Sequence, residues 1–336
     1  MRFTAAKKLN IVLSAALINS VFFSLAAGAD TDRLKRDIVP IYQTINLKID
    51  PRLTSYTGNV SITLSVKNST NTFIIHVEDI TIEELILSSQ DKQIQTDYTP
   101  GEYGRTTITA AKMLEPGEYT LGISFAANFN TQAVGLYRTE VGDESYLFTQ
   151  FEESDARKAF PCFDEPSFKF PYQMTVTIPK EHIAVSNTPI EIQAGDEKWQ
   201  TISFKKTEPL PSYLLALAVG PLETVEVPDM PIPTRIVCVK GKSNLAEETA
   251  RITPPLMKAL VDYFERPYPY EKLDLIAVPE FWAGGMENAG AITFRETVIL
   301  LDPKSISIGQ KQSLVGVMAH ELAHMWFGDL VTMRWW

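Results

Sequence analysis

The first part of the chain alternates apolar and polar residues with a period of two, and this pattern restricts the fold more than any other feature. Residues 59–66 place apolar side chains at the even positions, and residues 45–49 and 172–178 repeat the alternation. Such segments are typical of half-buried strands. Turn signals at Pro100-Gly101 and Pro116-Gly117 separate them. We therefore predict an N-terminal antiparallel β-domain of sandwich or saddle shape at residues 30–220.

The pattern changes after Gly220. Four prolines fall between positions 221 and 233, which is typical of a linker or an edge segment. A helical pattern follows at residues 246–264, then a Pro-Tyr-Pro-Tyr turn and a strand-like run at residues 273–278. These features predict a second domain at residues 221–336, so the expected fold class is α+β with two domains.

Residues 1–29 have the pattern of a secretory signal peptide. Basic residues precede an apolar stretch from Ile11 to Leu25, and small residues follow at 27–29. Serine and asparagine interrupt the stretch, which is also shorter than the ~20 apolar residues of a spanning helix, so cleavage is favoured over an uncleaved anchor. We expect export to the periplasm or the extracellular space, with no membrane span after cleavage.

Composition limits the partners and the type of metal site. With 45% apolar and 21% charged residues, the 336-residue chain is globular in character, and its net charge of −10 argues against a nucleic-acid partner. Cys162 and Cys238 are its only cysteines and form no CxxC pair. They could form one disulfide or none, and a cysteine zinc site is disfavoured. A metal site would have to use histidine and carboxylate.

Such a site is predicted at His320-Glu321-Leu322-Ala323-His324. An apolar, proline-free run precedes this segment and Gly328 follows it, which favours a helix. Residues four apart share a helix face, so both imidazoles could bind one Zn²⁺, while Glu321, about 100° around the helix, could accept a proton from a water that the zinc activates. Catalytic zinc has three protein ligands. The other histidines, His76 and His182, lie far back in strand-like segments and are interpreted as structural or exposed.

Two further stretches could line the same site. Gly284-Gly285-Met286-Glu287-Asn288 combines a flexible turn, which lets a substrate backbone approach closely, with a carboxylate that could pair with a cationic group. Residues 149–166 mix charges with two proline breaks. Taken alone, the first is typical of a surface loop and the second of an irregular, solvated segment.

Taken together, and in this order, the stretches resemble the family of zinc aminopeptidases that includes aminopeptidase N. The resemblance runs from about residue 37 to the end and rests on TQFE, FPCFDEP, GGMEN and HELAHMWFGD, followed by TMRWW. It implies an N-terminal β-saddle domain and the first part of a thermolysin-like catalytic domain. It also implies hydrolysis of the first residue from peptides with a free N-terminus.

The resemblance implies a role for each matching residue. His320 and His324 would bind one zinc ion, and Glu321 would act as general base. The substrate-binding residues would be Gln150, Glu152, Gly284, Gly285, Met286, Glu287 and Asn288. Among them, Glu287 with Glu152 and Gln150 would hold the α-amino group. Carboxylates that fix this ammonium at one distance from the metal allow only the first peptide bond to reach the reacting water.

The chain departs from the family pattern at Gly285, where most members have alanine. Glycine also occurs in the leukotriene hydrolase branch, so an epoxide hydrolase is an alternative. That branch tends to carry glutamine where this chain has Glu152, which favours a peptidase. The family's third zinc ligand, a glutamate one helix further on, and its oxyanion-stabilising tyrosine would lie beyond Trp336. We therefore expect the 336 residues alone to bind zinc weakly and to be inactive, and a non-catalytic module that binds peptide N-termini is a further alternative.

Overall fold

A computed structural model describes residues 33–90 and 92–336, and residues 37–336 form one compact unit. The predicted signal peptide lies outside the described residues. Within them, no helix has the length and apolar character needed to cross a bilayer.

Strands dominate the first part of the chain. They are β1 (Ile38–Lys48), β2 (Ser55–Val66), β3 (Thr70–His76), β4 (Ile80–Ser89), β5 (Lys92–Ile94), β6 (Thr96–Pro100), β7 (Arg105–Leu114), β8 (Gly117–Asn128), β9 (Gly135–Val141), β10 (Glu144–Gln150), β11 (Tyr172–Pro179), β12 (Ile183–Ser186), β13 (Ile190–Gly195), β14 (Trp199–Phe204) and β15 (Leu217–Gly220). Short 3₁₀ turns lie at Glu102–Gly104, Ala156–Lys158 and Ser212–Leu214.

The second part mixes strands and helices. Its strands are β16 (Leu222–Glu226), β17 (Thr234–Val239), β18 (Leu273–Val278), β19 (Gly285–Met286) and β20 (Ala291–Arg295). Its helices are α1 (Glu247–Phe264), α2 (Glu296–Ile299) and α3 (Ile308–His324), with a 3₁₀ turn at Ser243–Leu245. The predicted α+β fold class is confirmed, and the predicted helix at 246–264 and strand at 273–278 agree with α1 and β18.

The period-two segments become the centre of the largest sheet, whose strand order is β13-β14-β11-β1-β2-β8-β4-β5. Along β2, Val60, Ile62 and Leu64 are buried, whereas the residues between them are partly exposed. The β1–β2 pair is antiparallel, but β11 lies parallel to β1 on its other side, so the sheet is not purely antiparallel. Apolar side chains on one face of this sheet supply much of the core.

Two smaller sheets complete the first part, in the orders β12-β15-β10-β9 and β3-β7-β6. The first of these sheets contains β10, which ends at Gln150. The TQFE residues therefore lie at the end of this strand, where they can contribute to the candidate site described below. The five-stranded sheet of the second part has the order β16-β17-β18-β20-β19, with β17, β18 and β20 parallel to one another.

Helix α3 is held by the burial of one stripe of side chains. Leu314, Met318 and Leu322, four residues apart, are fully buried and form a core cluster with residues of α1 and the five-stranded sheet. Beyond the helix, the Trp326 ring stacks on Phe264 at the end of α1, with a centroid distance of 5.0 Å. The residues between the buried ones, including the histidines, therefore face away from this core.

The charged segment at 149–166 is not a solvated charge run. Arg157 and Asp164 are buried, and Nε of Arg157 donates to Asp164 Oδ2 at 2.9 Å. The hydroxyl of Ser212 donates to the other carboxylate oxygen at 2.5 Å. The two cysteines, whose pairing the sequence left open, are both buried and free.

We expect Asp164→Ala to lower the free energy of unfolding by about 3–5 kcal/mol, because it leaves the Arg157 charge buried without its partner. The matched control is Glu140→Ala, which removes the exposed partner of Arg138, 2.7 Å away, and should cost less than about 1 kcal/mol. Urea unfolding followed by circular dichroism measures both. Equal losses in the two variants would contradict this reading of the buried pair.

Candidate active site

The site is built on the last turn of α3. The helix begins with a capping box, in which the Ser307 hydroxyl accepts from the Gln310 amide and the Gln310 side chain accepts from the Ser307 amide. Its C-terminal turn carries His320, Glu321 and His324. Glu321 is buried, His324 is half-buried and His320 is exposed.

The two imidazoles converge on one point. Their Nε2 atoms are 3.2 Å apart, and the rings lie at 84° to each other. Two nitrogens bound to one tetrahedral zinc at about 2.0–2.1 Å lie roughly 3.3–3.4 Å apart, so the observed separation fits a shared Zn²⁺. The separation of the two Nε2 atoms therefore agrees with the zinc ion that the family resemblance implies.

A neighbouring carbonyl group orients the second histidine. Nδ1 of His324 lies 3.3 Å from the Phe327 carbonyl oxygen, and because a carbonyl can only accept, this contact puts the proton on Nδ1. Nε2 is then left with its lone pair toward His320, as a metal ligand requires. Gly328 permits this arrangement, since a Cβ at that position would lie 2.7 Å from His324 Nδ1.

The Gly-Gly-Met-Glu-Asn stretch lies along the edge of the five-stranded sheet. Its first part is β19, which pairs Gly285 with Phe294 and Met286 with Thr293 of β20. Arg295 secures the approach to it by donating to the backbone carbonyls of residues 281–283. A fixed edge strand is a typical place for an extended peptide to bind.

Gly285 is in close contact with the predicted general base. A Cβ at this position would lie 2.5 Å from Cγ, Cδ and Oε1 of Glu321. The Glu321 side chain therefore fills the space that an alanine methyl group would need. Gly284 is less constrained, with its nearest neighbour, a Val317 methyl group, 3.6 Å from a built Cβ.

Two acidic side chains lie close to His324, in a group of possible metal ligands that does not include His320. One ligand atom each from Glu287, Glu321 and His324 lies within 4.8 Å of the others. Burial raises the pKa of Glu321 to about 8, and the negative charges of Glu287 and Glu152 add to that increase. The site is thus short of positive charge, and a cation placed there would be stabilised.

Glu152 enters from the first part of the chain, just after β10. Burial raises its pKa to about 7, with further contributions from the charges of Glu287 and Glu153. Gln150 is buried, and its Nε2 lies 3.5 Å from the Glu152 carbonyl oxygen while its Oε1 has no protein partner. A free acceptor two residues from the Glu152 carboxylate suits a substrate ammonium group.

The remaining predicted residues are used differently. Met286 is buried, and the Asn288 side-chain amide donates to the Thr293 hydroxyl at 3.3 Å inside the turn. A contact of either with substrate stays a prediction. His76 and His182 are buried and lie outside the metal-ligand group found among the described residues. Nδ1 of His76 accepts from the Asp164 amide, and burial lowers the His76 pKa to about 3, so this histidine is neutral and structural.

Two buried residues near the site were missed in the sequence. Tyr213 is buried with no partner for its hydroxyl, and burial together with the charges of Glu287, Asp329 and Glu152 raises its pKa. Asp329 is fully buried, neither of its carboxylate oxygens has a partner, and burial is the main cause of its raised pKa. Tyr213 lies in an apolar run that is typical of a buried core segment, and nothing in that pattern indicates that it lies near the candidate active site. Asp329 directly follows the HELAHMWFG residues, which was the available signal.

Comparison with known proteins agrees with this geometry. The family model described as the Peptidase M1 N-terminal domain matches residues 39–214, and the Peptidase family M1 domain matches residues 248–336. The chain belongs to peptidase family M1. The predicted family is thereby confirmed, whereas the predicted boundary at residue 220 stays a prediction.

Several curated relatives are similar to this M1 chain over most of its length. It is 37% identical to glutamyl aminopeptidase from Bos taurus over 320 residues. The aligned region covers 90% of this chain and 33% of that protein. It is 34% identical over 328 residues to puromycin-sensitive aminopeptidase from Caenorhabditis elegans, covering 93% and 34%. Aminopeptidase M1-B from Oryza sativa subsp. japonica is 33% identical over 309 residues, covering 90% and 35%. The M1 chain thus spans about one third of the length of these relatives.

We expect Gly285→Ala to displace Glu321, because the added methyl group would lie 2.5 Å from its carboxylate end. A displacement of about 1 Å can cost up to ~100-fold in rate, so kcat should fall about 10- to 100-fold. Gly316→Ala, on the exposed side of α3 where a built Cβ meets nothing within 4 Å, is the matched control and should stay within about threefold. Steady-state kinetics on an aminoacyl-4-nitroanilide checks both variants. Full activity of Gly285→Ala would show that Glu321 works from another position.

Proposed function

We propose that this M1 chain is part of a zinc-dependent aminopeptidase that removes the first residue from peptides with a free N-terminus. One observation carries the proposal. Glu152 and Glu287, from separate parts of the chain, act electrostatically on Glu321 within a single site that contains the His320–His324 donor pair. Two carboxylates at a fixed position beside a metal-binding pair are what selection of a substrate ammonium requires.

His320 and His324 would hold the zinc ion through their Nε2 atoms. When bound, zinc supplies Lewis acidity, which makes water more acidic and polarises a carbonyl group. The chain's own contribution is geometric. The proton on His324 Nδ1 is shared with Phe327, so the ring keeps the orientation in which Nε2 faces His320.

Glu321 is placed to act as general base and then as general acid. It is adjacent to His320 in sequence and lies against Gly285 on the edge strand along which a peptide would bind. Burial raises its pKa, and a carboxyl group whose pKa is raised toward the working pH can both accept and release a proton. Glu321 would accept the proton of the attacking water and pass it to the leaving amine.

Glu152 and Glu287 would anchor the α-ammonium group of the substrate. Burial and then the Glu287 charge raise the Glu152 pKa, which supports a site in which the two carboxyl groups repel each other. An ammonium bound between them removes that repulsion and forms charge-assisted hydrogen bonds. Because the anchor is fixed relative to Glu321, the first peptide bond is the one presented for attack.

We expect Glu321→Gln in the intact enzyme to keep its zinc but to lose about 10²- to 10⁴-fold in kcat, because the ligands remain while the base is gone. Zinc is measured by atomic absorption after dialysis, and turnover with an aminoacyl-4-nitroanilide. Glu271→Gln, at an exposed residue paired with Lys205, is the matched control and should retain activity. Normal turnover of Glu321→Gln with bound zinc would contradict the assignment of the base.

Amine recognition should depend on pH in a defined direction. Glu152 has a raised pKa of about 7, so it becomes charged as the pH rises through that value, and KM for a free-amino substrate should fall. Above about pH 8 the α-amino group loses its proton and KM should rise again. Glu152→Gln should raise KM and remove the acidic limb of the profile.

The substrate series provides the second arm of this test. A peptide acetylated at its N-terminus lacks the ammonium and should be hydrolysed at least about 100-fold more slowly than the free peptide. Equal cleavage of both peptides would point to an endopeptidase and overturn the anchoring role of Glu152 and Glu287.

A further inference from the structure

We propose that Asn187 is a positioning residue that sets the separation between Glu152 and Glu287. The inference rests on the proposed function, since it assigns those two carboxylates to amine binding. Asn187 lies between β12 and β13, away from the motifs that carry the resemblance, and its side chain is buried.

The Asn187 side chain joins two backbone segments. Its Nδ2 donates to the Leu214 carbonyl at 2.8 Å and to the Ala289 carbonyl at 2.9 Å. Its Oδ1 accepts from the Ala216 amide at 2.9 Å. Both amide hydrogens and the carbonyl oxygen are thus used, and a buried amide with all its groups satisfied is rigid.

One of these segments carries Glu287. Ala289 is two residues further along, and the next residue, Gly290, packs so closely that a Cβ there would lie 2.6 Å from the Asn187 carbonyl oxygen. Lys272 holds the same turn, since its ammonium group donates to the Gly290 carbonyl at 2.8 Å and to the Ser186 carbonyl. The backbone that follows Glu287 is therefore fixed to residues 186 and 187 of the first part.

The other segment leads to Glu152. Leu214 and Ala216 precede β15, which is paired with β10 through Leu147–Val219 and Phe148–Ala218. The Thr149 hydroxyl extends this contact by accepting from the Leu217 amide at 2.9 Å. Strand β10 ends one residue later, and Glu152 follows.

Asn187 thus forms direct hydrogen bonds to the supports of both carboxylates. These carboxylates repel each other when no cation is present, and each support needs to resist that repulsion. Loss of the amide would let the Ala289 turn move relative to β15, so the ammonium could no longer contact both carboxylates well. Among the described residues, the side chain of Asn187 bonds to Leu214, Ala216 and Ala289 and to no metal donor on α3, so zinc binding should be unaffected.

The test uses two hydroxamates that differ only by the amine. L-alanine hydroxamate and propionohydroxamate carry the same metal-binding group, so the ratio of their dissociation constants on the zinc-loaded intact enzyme reports the amine site alone. Isothermal titration calorimetry gives both constants. We expect Asn187→Ala to reduce the preference for L-alanine hydroxamate about 10-fold, with zinc content and propionohydroxamate affinity unchanged. KM for the 4-nitroanilide should rise by a similar factor, with a smaller change in kcat.

Two further variants separate positioning from simple loss of packing. Asn187→Asp fills the same space but loses both donated hydrogen bonds, so it should show the same reduced preference, and it decides the question if Asn187→Ala does not fold. Asn46→Ala removes an exposed side-chain hydrogen bond to Asn59 on the large sheet and should leave the preference unchanged.

The outcomes are distinguishable. An unchanged hydroxamate preference in either folded Asn187 variant would overturn the positioning role. Equal affinity of the unmodified enzyme for the two hydroxamates would instead overturn the anchoring of the amine, and with it the proposed function. A parallel loss of affinity for both hydroxamates would place Asn187 among the residues that support the metal site and would also contradict the inference.

Discussion

Mutual repulsion among Glu152, Glu287 and Glu321 is the constraint on which the arrangement of the site depends. The pKa values of Glu152 and Glu321 are raised to about 7 and about 8, with burial as the first cause and neighbouring carboxylates as the second. Each raised pKa costs folding stability as the pH rises from the ordinary value toward the folded one. Positive charge from a metal ion and from a substrate ammonium offsets that cost. The proposed zinc ion and substrate ammonium would supply two such positive charges.

Carboxylates that repel each other stay close only if other contacts hold the backbone segments that carry them. Arg295 binds carbonyls before β19, and Lys272 and Asn187 bind carbonyls after Asn288, so the segment that carries Glu287 is held on both sides. Helix α3 is fixed by its buried leucine and methionine stripe, and β10 by its pairing with β9 and β15. Glu321 thus lies on α3, while Glu287 and Glu152 follow β19 and β10, and each of these elements is held by contacts outside the acidic group.

Local regularity explains what the sequence could predict. Alternation identified β2 and β11, the apolar run identified β18, and the spacing of His320 and His324 placed both rings on one helix face. Asn187 could not be found in this way, because Ser-Asn-Thr-Pro is typical of a solvated turn and its partners lie 27 and 102 residues away. Arg157 and Asp164 were misread as solvated for a related reason. Their pairing is local, but their burial depends on distant strands.

Gly285 shows how the structure changes the meaning of a sequence feature. Its departure from the family's alanine was the main reason to consider an epoxide hydrolase, on the reasoning that a smaller residue belongs to that branch. In this chain the space opposite Gly285 is taken by the Glu321 side chain, 2.5 Å from a built Cβ. In this structure the Glu321 side chain occupies the space beside Gly285, so an open cavity is not present there. Gly285 is therefore no longer an argument for an epoxide hydrolase. Glu152, which favours a peptidase, is electrostatically coupled to Glu287.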